Sequence, residues 1–172
     1  MEIRPARPED AAAVAAVHVR TWQAAYDHVF GAERLAALDA QLPQRVERWE
    51  RVLRDEGGVW VAEEDGRVVG FVSIGPEREE PAVGELYAIY VLPEAWGSGA
   101  GTALMREAVA ALQDASGGEA VLWVLEDNPR ARRFYEREGW SHDGGRKTDT
   151  FLGVEISEVR YRLAAGTVRP SR

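Results

Sequence analysis

Cysteine is absent from the 172 residues, which excludes a disulfide framework, a thiolate nucleophile and any Cys-ligated zinc or iron–sulfur centre. Also missing is any uninterrupted apolar run near the ~18 residues needed to cross a bilayer. The opening MEIRPARPED is charged and punctuated by proline where a signal peptide would be apolar. These absences predict a cytoplasmic protein with no membrane partner. Basic residues are scarce, 21 Lys and Arg against 29 Asp and Glu, for a formal charge of -8. A phosphate-tracking chain shows the opposite balance, so no nucleic-acid partner is expected and a cationic acceptor is favoured over an anionic polymer. The three histidines, His18, His28 and His142, share no ligand spacing, and no metal site is expected.

What is present is the composition of a folded chain, 45% apolar and 29% charged. Neither a repeat nor a linker interrupts it, which predicts a single domain over residues 1–165 and a C-terminal tail over 166–172. Ile3 and Arg4 open a short strand closed by proline, and Pro8-Glu9-Asp10 introduces an alanine-rich helix to about Arg20. The aromatic segment from Arg20 to Tyr26 reads as helix or loop. Two further helices are expected over 31–40 and 44–56. Asp65-Gly66, between the β-rich runs 59–63 and 68–74, is a hairpin signal.

Residues 84–92 read as a strand ended by Pro93, 102–112 as a helix stopped by Gly117-Gly118, and 120–125 as a near-continuous apolar strand. Strand, helix, strand over about 40 residues is a βαβ unit, which makes the two strands parallel. Asn128 and Pro129 begin a helix over 129–138 that Gly139 stops. A strand follows from Trp140, then a polar turn over 144–149 and a closing strand over 154–163.

Between the strand at 84–92 and its helix lies Gly97-Ser98-Gly99-Ala100-Gly101-Thr102. Alternating glycines let the backbone turn sharply and let a ligand approach the amides, and the helix behind them offers N–H groups and partial positive charge to a phosphate. A tight strand-to-helix turn with no ligand fits the glycines about equally well. The dinucleotide fingerprint fails because Thr102 takes its third glycine, and the P-loop fails because no Lys-Ser or Lys-Thr follows. A pyrophosphate-bearing coenzyme outside those two classes remains.

From Glu85 to Trp140 the chain resembles the GNAT superfamily of Gcn5-related N-acetyltransferases. Trp96-Gly97-Ser98-Gly99-Ala100-Gly101 matches the family's coenzyme motif, with Trp96 standing where the family has Arg or Gln. Asn128-Pro129-Arg130-Ala131-Arg132-Arg133-Phe134-Tyr135, running on through Gly139 to Trp140, matches the second motif. The resemblance implies an α/β (α+β) fold: a mixed, mostly antiparallel sheet of six to seven strands, helices on both faces, and parallel fourth and fifth strands that splay apart. It also implies acetyl-CoA as co-substrate, and a homodimer as a common assembly.

Aminolysis of a thioester needs a neutral amine, and an amine with pKa ~10.4 is overwhelmingly charged at pH 7. A general base is the larger need, and a thiol leaving group requires less help. The resemblance implies Glu85 as that base, direct or through water; a carboxylate at a strand end facing solvent, or an anchor for a cationic substrate, are the other readings. It implies Tyr135 as general acid to the sulfur, where a core aromatic beside Phe134 is the alternative. Asn128, Ala131 and Tyr135 share one helical stripe, and Asn128 serves as N-cap and coenzyme contact together. The resemblance further implies that the coenzyme's pantetheine arm adds like a strand to the backbone of Ile89, Tyr90 and Val91.

Trp22 and Tyr26, four residues apart, either form an aromatic wall that holds an amine by cation–π contact or pack between helix and sheet. Arg130, Arg132, Arg133 and Arg137 alternate with acids and read as a salt-bridged helix surface. The expectation is an N-acetyltransferase acting by direct transfer. The alternatives are a non-catalytic acetyl-CoA-binding sensor or subunit, or an enzyme using another nucleotide.

Overall fold

The computed structural model describes residues 1–116 and 118–165; the expected tail over 166–172 and Gly117 of the expected Gly117-Gly118 helix stop lie outside them. Seven strands form one sheet in the order β1-β2-β3-β4-β5-β7-β6. They are β1 Glu2–Pro5, β2 Val59–Glu64, β3 Arg67–Pro76, β4 Gly84–Val91, β5 Ala120–Leu125, β6 Ser141–Phe151 and β7 Val154–Leu163. The helices are α1 Ala11–Ala25, α2 Asp27–Phe30, α3 Ala32–Ala40, α4 Leu42–Asp55, α5 Ala100–Ser116 and α6 Pro129–Arg137. The chain forms two compact units, one of Met1–Ser73 with Ala88–Glu107, the other of Ile74–Tyr87 with Ala108 onward.

In the first unit β1 runs antiparallel to β2, and β2 to β3. Asp65 and Gly66 take positive φ, 51° and 76°, the left-handed pair that a two-residue hairpin between right-twisted strands requires. Ala11, Val14 and Val17 of α1 lie on one stripe and join Leu53 of α4, Val59, Val61 and Phe71 in a buried cluster. Val46, Trp49 and Val52 of α4 pack against that cluster, so α4 turns its 46-49-52-53 face inward and exposes its acids and every arginine but the half-buried Arg45. The first helix runs past the expected stop at Arg20 to Ala25 and carries the aromatic segment in helical form. Buried Thr21 and the rings of Trp22, Tyr26 and Phe30 provide tertiary contacts that outweigh the poor helix propensity of the segment.

In the second unit β4 and β5 pair in parallel, Gly84–Leu86 against Ala120–Leu122, and both strands run on beyond that ladder. β5 pairs antiparallel with β7 along its whole length, and β7 with β6. The polar turn expected over 144–149 is not there. Those residues belong to β6, and the chain reverses at Leu152 and Gly153, both at positive φ. β6 ends the strand order and ten of its eleven residues are polar or glycine, so it shows no alternation of apolar and polar residues to betray a strand. The glycines expected to turn the chain instead accommodate a register shift between His142 and Arg146, where Asp143 accepts the N–H of Gly145 and an Arg160 hydrogen bond.

Candidate functional site

In the first unit the end of β4 leads through a short 3-10 turn, Pro93–Ala95, into the glycine segment and α5. Gly97 and Gly99 stand at φ 83° and 92°, and a Cβ on either would meet nothing within 4 Å. Glycine is therefore required here by backbone conformation, and the side on which a Cβ would project is open to a ligand. The Ser98 hydroxyl accepts the N–H of Ala100 at 3.3 Å. Ala100, Gly101 and Thr102 form the first turn of α5, the end at which a helix concentrates partial positive charge.

Trp96, at the position where the sequence departs from the family motif, donates its indole N–H to the Val91 carbonyl at 2.7 Å. The Thr21 hydroxyl reaches the same oxygen at 3.3 Å. Trp96 thus ties the start of the glycine turn to the end of β4. Two donors thus share the carbonyl of Val91, one of the residues at which a strand-like coenzyme contact is expected. Leu92 N–H donates to Val69 of β3. By the alternation of an extended strand, the backbone groups of Ile89 and Val91 face away from β3 and those of Tyr90 face towards it. The side chain of Tyr90 stacks on His18, with centroids 5.0 Å apart and planes inclined by 18°.

Trp22 and Tyr26 lie on one face of α1 with ring centroids 4.8 Å apart. Trp22 also stacks on Phe30 at 5.8 Å, and Tyr26 meets Phe30 edge-on. Tyr26 is buried, whereas Trp22 is half-buried.

In the second unit Glu85 sits within the parallel β4–β5 ladder opposite Val121, half-buried. Burial, then the neighbouring Glu77, pushes its carboxyl above the usual carboxylate range, against the opposing pull of Lys147 and Arg78. A carboxylate so placed holds a proton more readily than one in water, as a general base should.

Asn128 caps α6 by accepting the Ala131 N–H at 3.0 Å, as its sequence position predicts. Tyr135, one turn beyond Ala131, is buried and meets Phe134 at 5.6 Å and Tyr161 at 6.3 Å between ring centroids. Its helix is clamped to β7: Tyr161 donates to Glu136 at 2.7 Å and accepts from Arg132 at 3.2 Å. Arg132 also reaches the Glu126 carbonyl, so it bonds a phenol and a backbone oxygen instead of pairing with an acid on its own helix. Tyr161 and His18 escaped sequence reasoning as positioning groups. The period-two burial of β7 was the available signal for Tyr161, and the His18–Trp22 spacing of four was the signal for His18.

Among the described residues no cluster of His, Asp or Glu could hold a metal ion, and no helix is long and apolar enough to cross a membrane. A mixed sheet with parallel β4 and β5, a glycine turn opening the intervening helix, and an Asn-capped α6 bearing Tyr135 define an acetyltransferase-type chain. The model of the acetyltransferase (GNAT) family matches residues 18–140, and the chain belongs to that family. The probable N-acetyltransferase Rv2775 of Mycobacterium tuberculosis is 29% identical over 165 residues, covering 95% of this chain and 93% of the relative. The uncharacterized N-acetyltransferase YuaI of Bacillus subtilis is 36% identical over 130 residues, 74% of this chain and 73% of its own. The same fold occurs in the PaiA N-acetyltransferase of Thermoplasma acidophilum in complex with coenzyme A. Its TM-score is 0.69 at 21% identity, over 91% of this chain and 96% of that one.

Proposed function

We propose that this protein transfers an acetyl group from acetyl-CoA to a primary amine by direct attack of the amine. The observation that carries this reading is the pair of positive-φ glycines, Gly97 and Gly99, opening the N-terminus of α5 with unobstructed space where a side chain would stand. Such a turn presents main-chain N–H groups to a diphosphate. The coenzyme A complex of the PaiA enzyme, a protein of the same fold, supports the choice of coenzyme. Bound acetyl-CoA supplies a thioester carbonyl and a thiol leaving group. The amides of Ser98 to Thr102 would hold its diphosphate, and Ile89 and Val91 would receive its pantetheine arm.

Glu85 takes the proton that the ammonium form of the acceptor must lose, directly or through water, and the upward shift of its carboxyl by burial favours that uptake. As the N–C bond forms and the C–S bond breaks, the nitrogen gives up its second proton to solvent, and Tyr135 supplies a proton to the departing sulfur and recovers one from solvent. Asn128 holds the first turn of the helix that carries Tyr135. Without cysteine, no acetyl-Cys stage is available, which leaves direct transfer.

Calorimetry with acetyl-CoA, NAD and ATP, followed by release of free thiol across an amine panel, tests the reading. Acetyl-CoA should bind at least tenfold more tightly than the other two and lose its acetyl group in the presence of an amine. Binding without thiol release would favour a sensor or subunit, and preferential NAD or ATP binding would overturn the coenzyme assignment.

A further inference from the structure

Beside the glycine turn's own strand, α1 and α4 bring an aromatic and cationic cluster together. His18 of α1 stacks on Tyr90 and lies 6.0 Å from Trp22 and 6.4 Å from Trp49 between ring centroids. Arg45 and Arg48, one turn apart on α4, both act on His18 electrostatically, and Arg45 also acts on Tyr90. No acid answers them. Among the described residues neither arginine forms an ion pair, and the one hydrogen bond of Arg45 is a long one, 3.4 Å, to the amide oxygen of Gln41. Arg45 Nε and His18 Nδ1 are shut off from solvent without a hydrogen-bond partner.

In a chain with eight more acids than bases, a half-buried arginine left without a carboxylate is not a consequence of shortage. Buried polar groups are almost always satisfied, and an exception asks for a partner from outside the chain. A half-buried guanidinium without an acid partner presents its outer N–H groups as a planar fork that matches a carboxylate. The neighbouring rings of Trp22, Trp49 and Tyr90 offer apolar surface for the remainder of a small molecule.

We infer that the acceptor is an amine that also carries a carboxylate, an amino acid with an apolar side chain, and that Arg45, backed by Arg48, receives the carboxylate next to the His18–Tyr90 pair. This rests on the amine acetyltransferase reading and narrows its acceptor from any cationic amine to a zwitterion. The overall negative charge attracts the ammonium group, and Arg45 selects among amines by the group next to it. Arg45 is thus a specificity-determining residue.

The test uses three matched probes, phenylalanine, phenylalaninamide and phenethylamine, with the full-length protein. Quenching of tryptophan fluorescence reports binding without any need for turnover, since Trp22 and Trp49 adjoin the cluster. Phenylalanine should bind at least tenfold more tightly than the amide or the amine, and Arg45→Gln should abolish that preference, with Arg48→Gln reducing it in part. In the acetyl transfer assay the same preference should appear in KM, with kcat for Arg45→Gln within a fewfold of wild type. Equal binding of the three probes, or a preference that survives Arg45→Gln in a variant of unchanged circular dichroism, overturns the inference. Carboxylate-dependent binding without any acetyl transfer would instead sink the acetyltransferase reading and leave the anion site standing.

Discussion

The imidazole of His18 lies face to face with the ring of Tyr90, 5.0 Å away, on a helix whose other contacts leave it mostly buried. Burial first, then the charges of Arg45 and Arg48, holds its pKa down at about 4, against 6.5 for an ordinary histidine. Above pH 6.5 both folded and unfolded states carry a neutral ring, and no stability is lost. As the pH falls from 6.5 towards 4 the unfolded chain takes up a proton that the native ring refuses, so stability declines by about 3 kcal/mol and levels off below that window. Urea unfolding at pH 7 and pH 4.5 should show this loss in wild type and a much smaller one in His18→Phe. Equal losses in the two proteins would remove His18 as the cause.

A second prediction concerns the anchor of the first strand. Arg4 makes two hydrogen bonds to Asp10, at 2.7 and 2.9 Å, and two to Glu63, also at 2.7 and 2.9 Å, which ties β1 to the start of α1 and to β2. Asp10 is buried and also accepts the Arg7 N–H at 2.7 Å. Hydrogen bonding to Arg4 holds the Asp10 carboxyl below its ordinary range. Asp10→Asn should cost about 3 kcal/mol, because it strips a buried ion pair of one partner. Glu63→Gln, at a more exposed position, should cost roughly 1 kcal/mol or less. Chemical denaturation at pH 7 checks the order.

For catalysis, the pH profile is the sharper instrument. With its carboxyl raised by burial and by Glu77, Glu85 should set an acidic limb of kcat/KM at a pH above that of an ordinary carboxylate. Glu85→Gln should lower kcat/KM by roughly 10²- to 10⁴-fold and flatten that limb. Tyr135→Phe should cost less, because a thiol leaves tolerably well unaided. A profile whose acidic limb is unmoved in Glu85→Gln would assign the base to another group.

The glycine turn can be separated from simple backbone strain. Gly99 and Gly57 both hold positive φ, 92° and 69°, and a Cβ on either meets open space. Alanine at either position should therefore destabilise by about 1–2 kcal/mol. Only Gly99→Ala should also weaken acetyl-CoA binding, by tenfold or more in calorimetry, since Gly57 follows α4 outside the turn. Equal effects of the two substitutions on binding would detach the coenzyme from this loop.

Much of this architecture was legible in advance. The Asp65-Gly66 hairpin, the Asn128 cap, and the bounds of β5 and β7 follow from local rules, because a turn's φ, a helix's first free N–H and an apolar run are properties of a few adjacent residues. The parallel pairing of β4 and β5 followed as well, since a single intervening helix leaves little choice of direction. The first arm of the hairpin near the C-terminus was legible only at its start, expected from Trp140: ten of the eleven residues of β6 are polar or glycine, and its strand character past Asp143 comes from pairing with β7.

The amino-acid sequence determined most of the secondary elements, β6 excepted, together with the glycine turn and the family, all of which depend on short-range spacing. Tertiary structure alone decided that His18 lies on Tyr90, that Trp96 closes on the Val91 carbonyl, that Tyr161 clamps α6, and that Arg45 is left without an acid. Those relations join residues from separate elements, in most cases far apart along the chain, and no local periodicity encodes them. They arise from which faces the sheet and helices bury, and burial in turn determines which polar groups are left to meet a ligand.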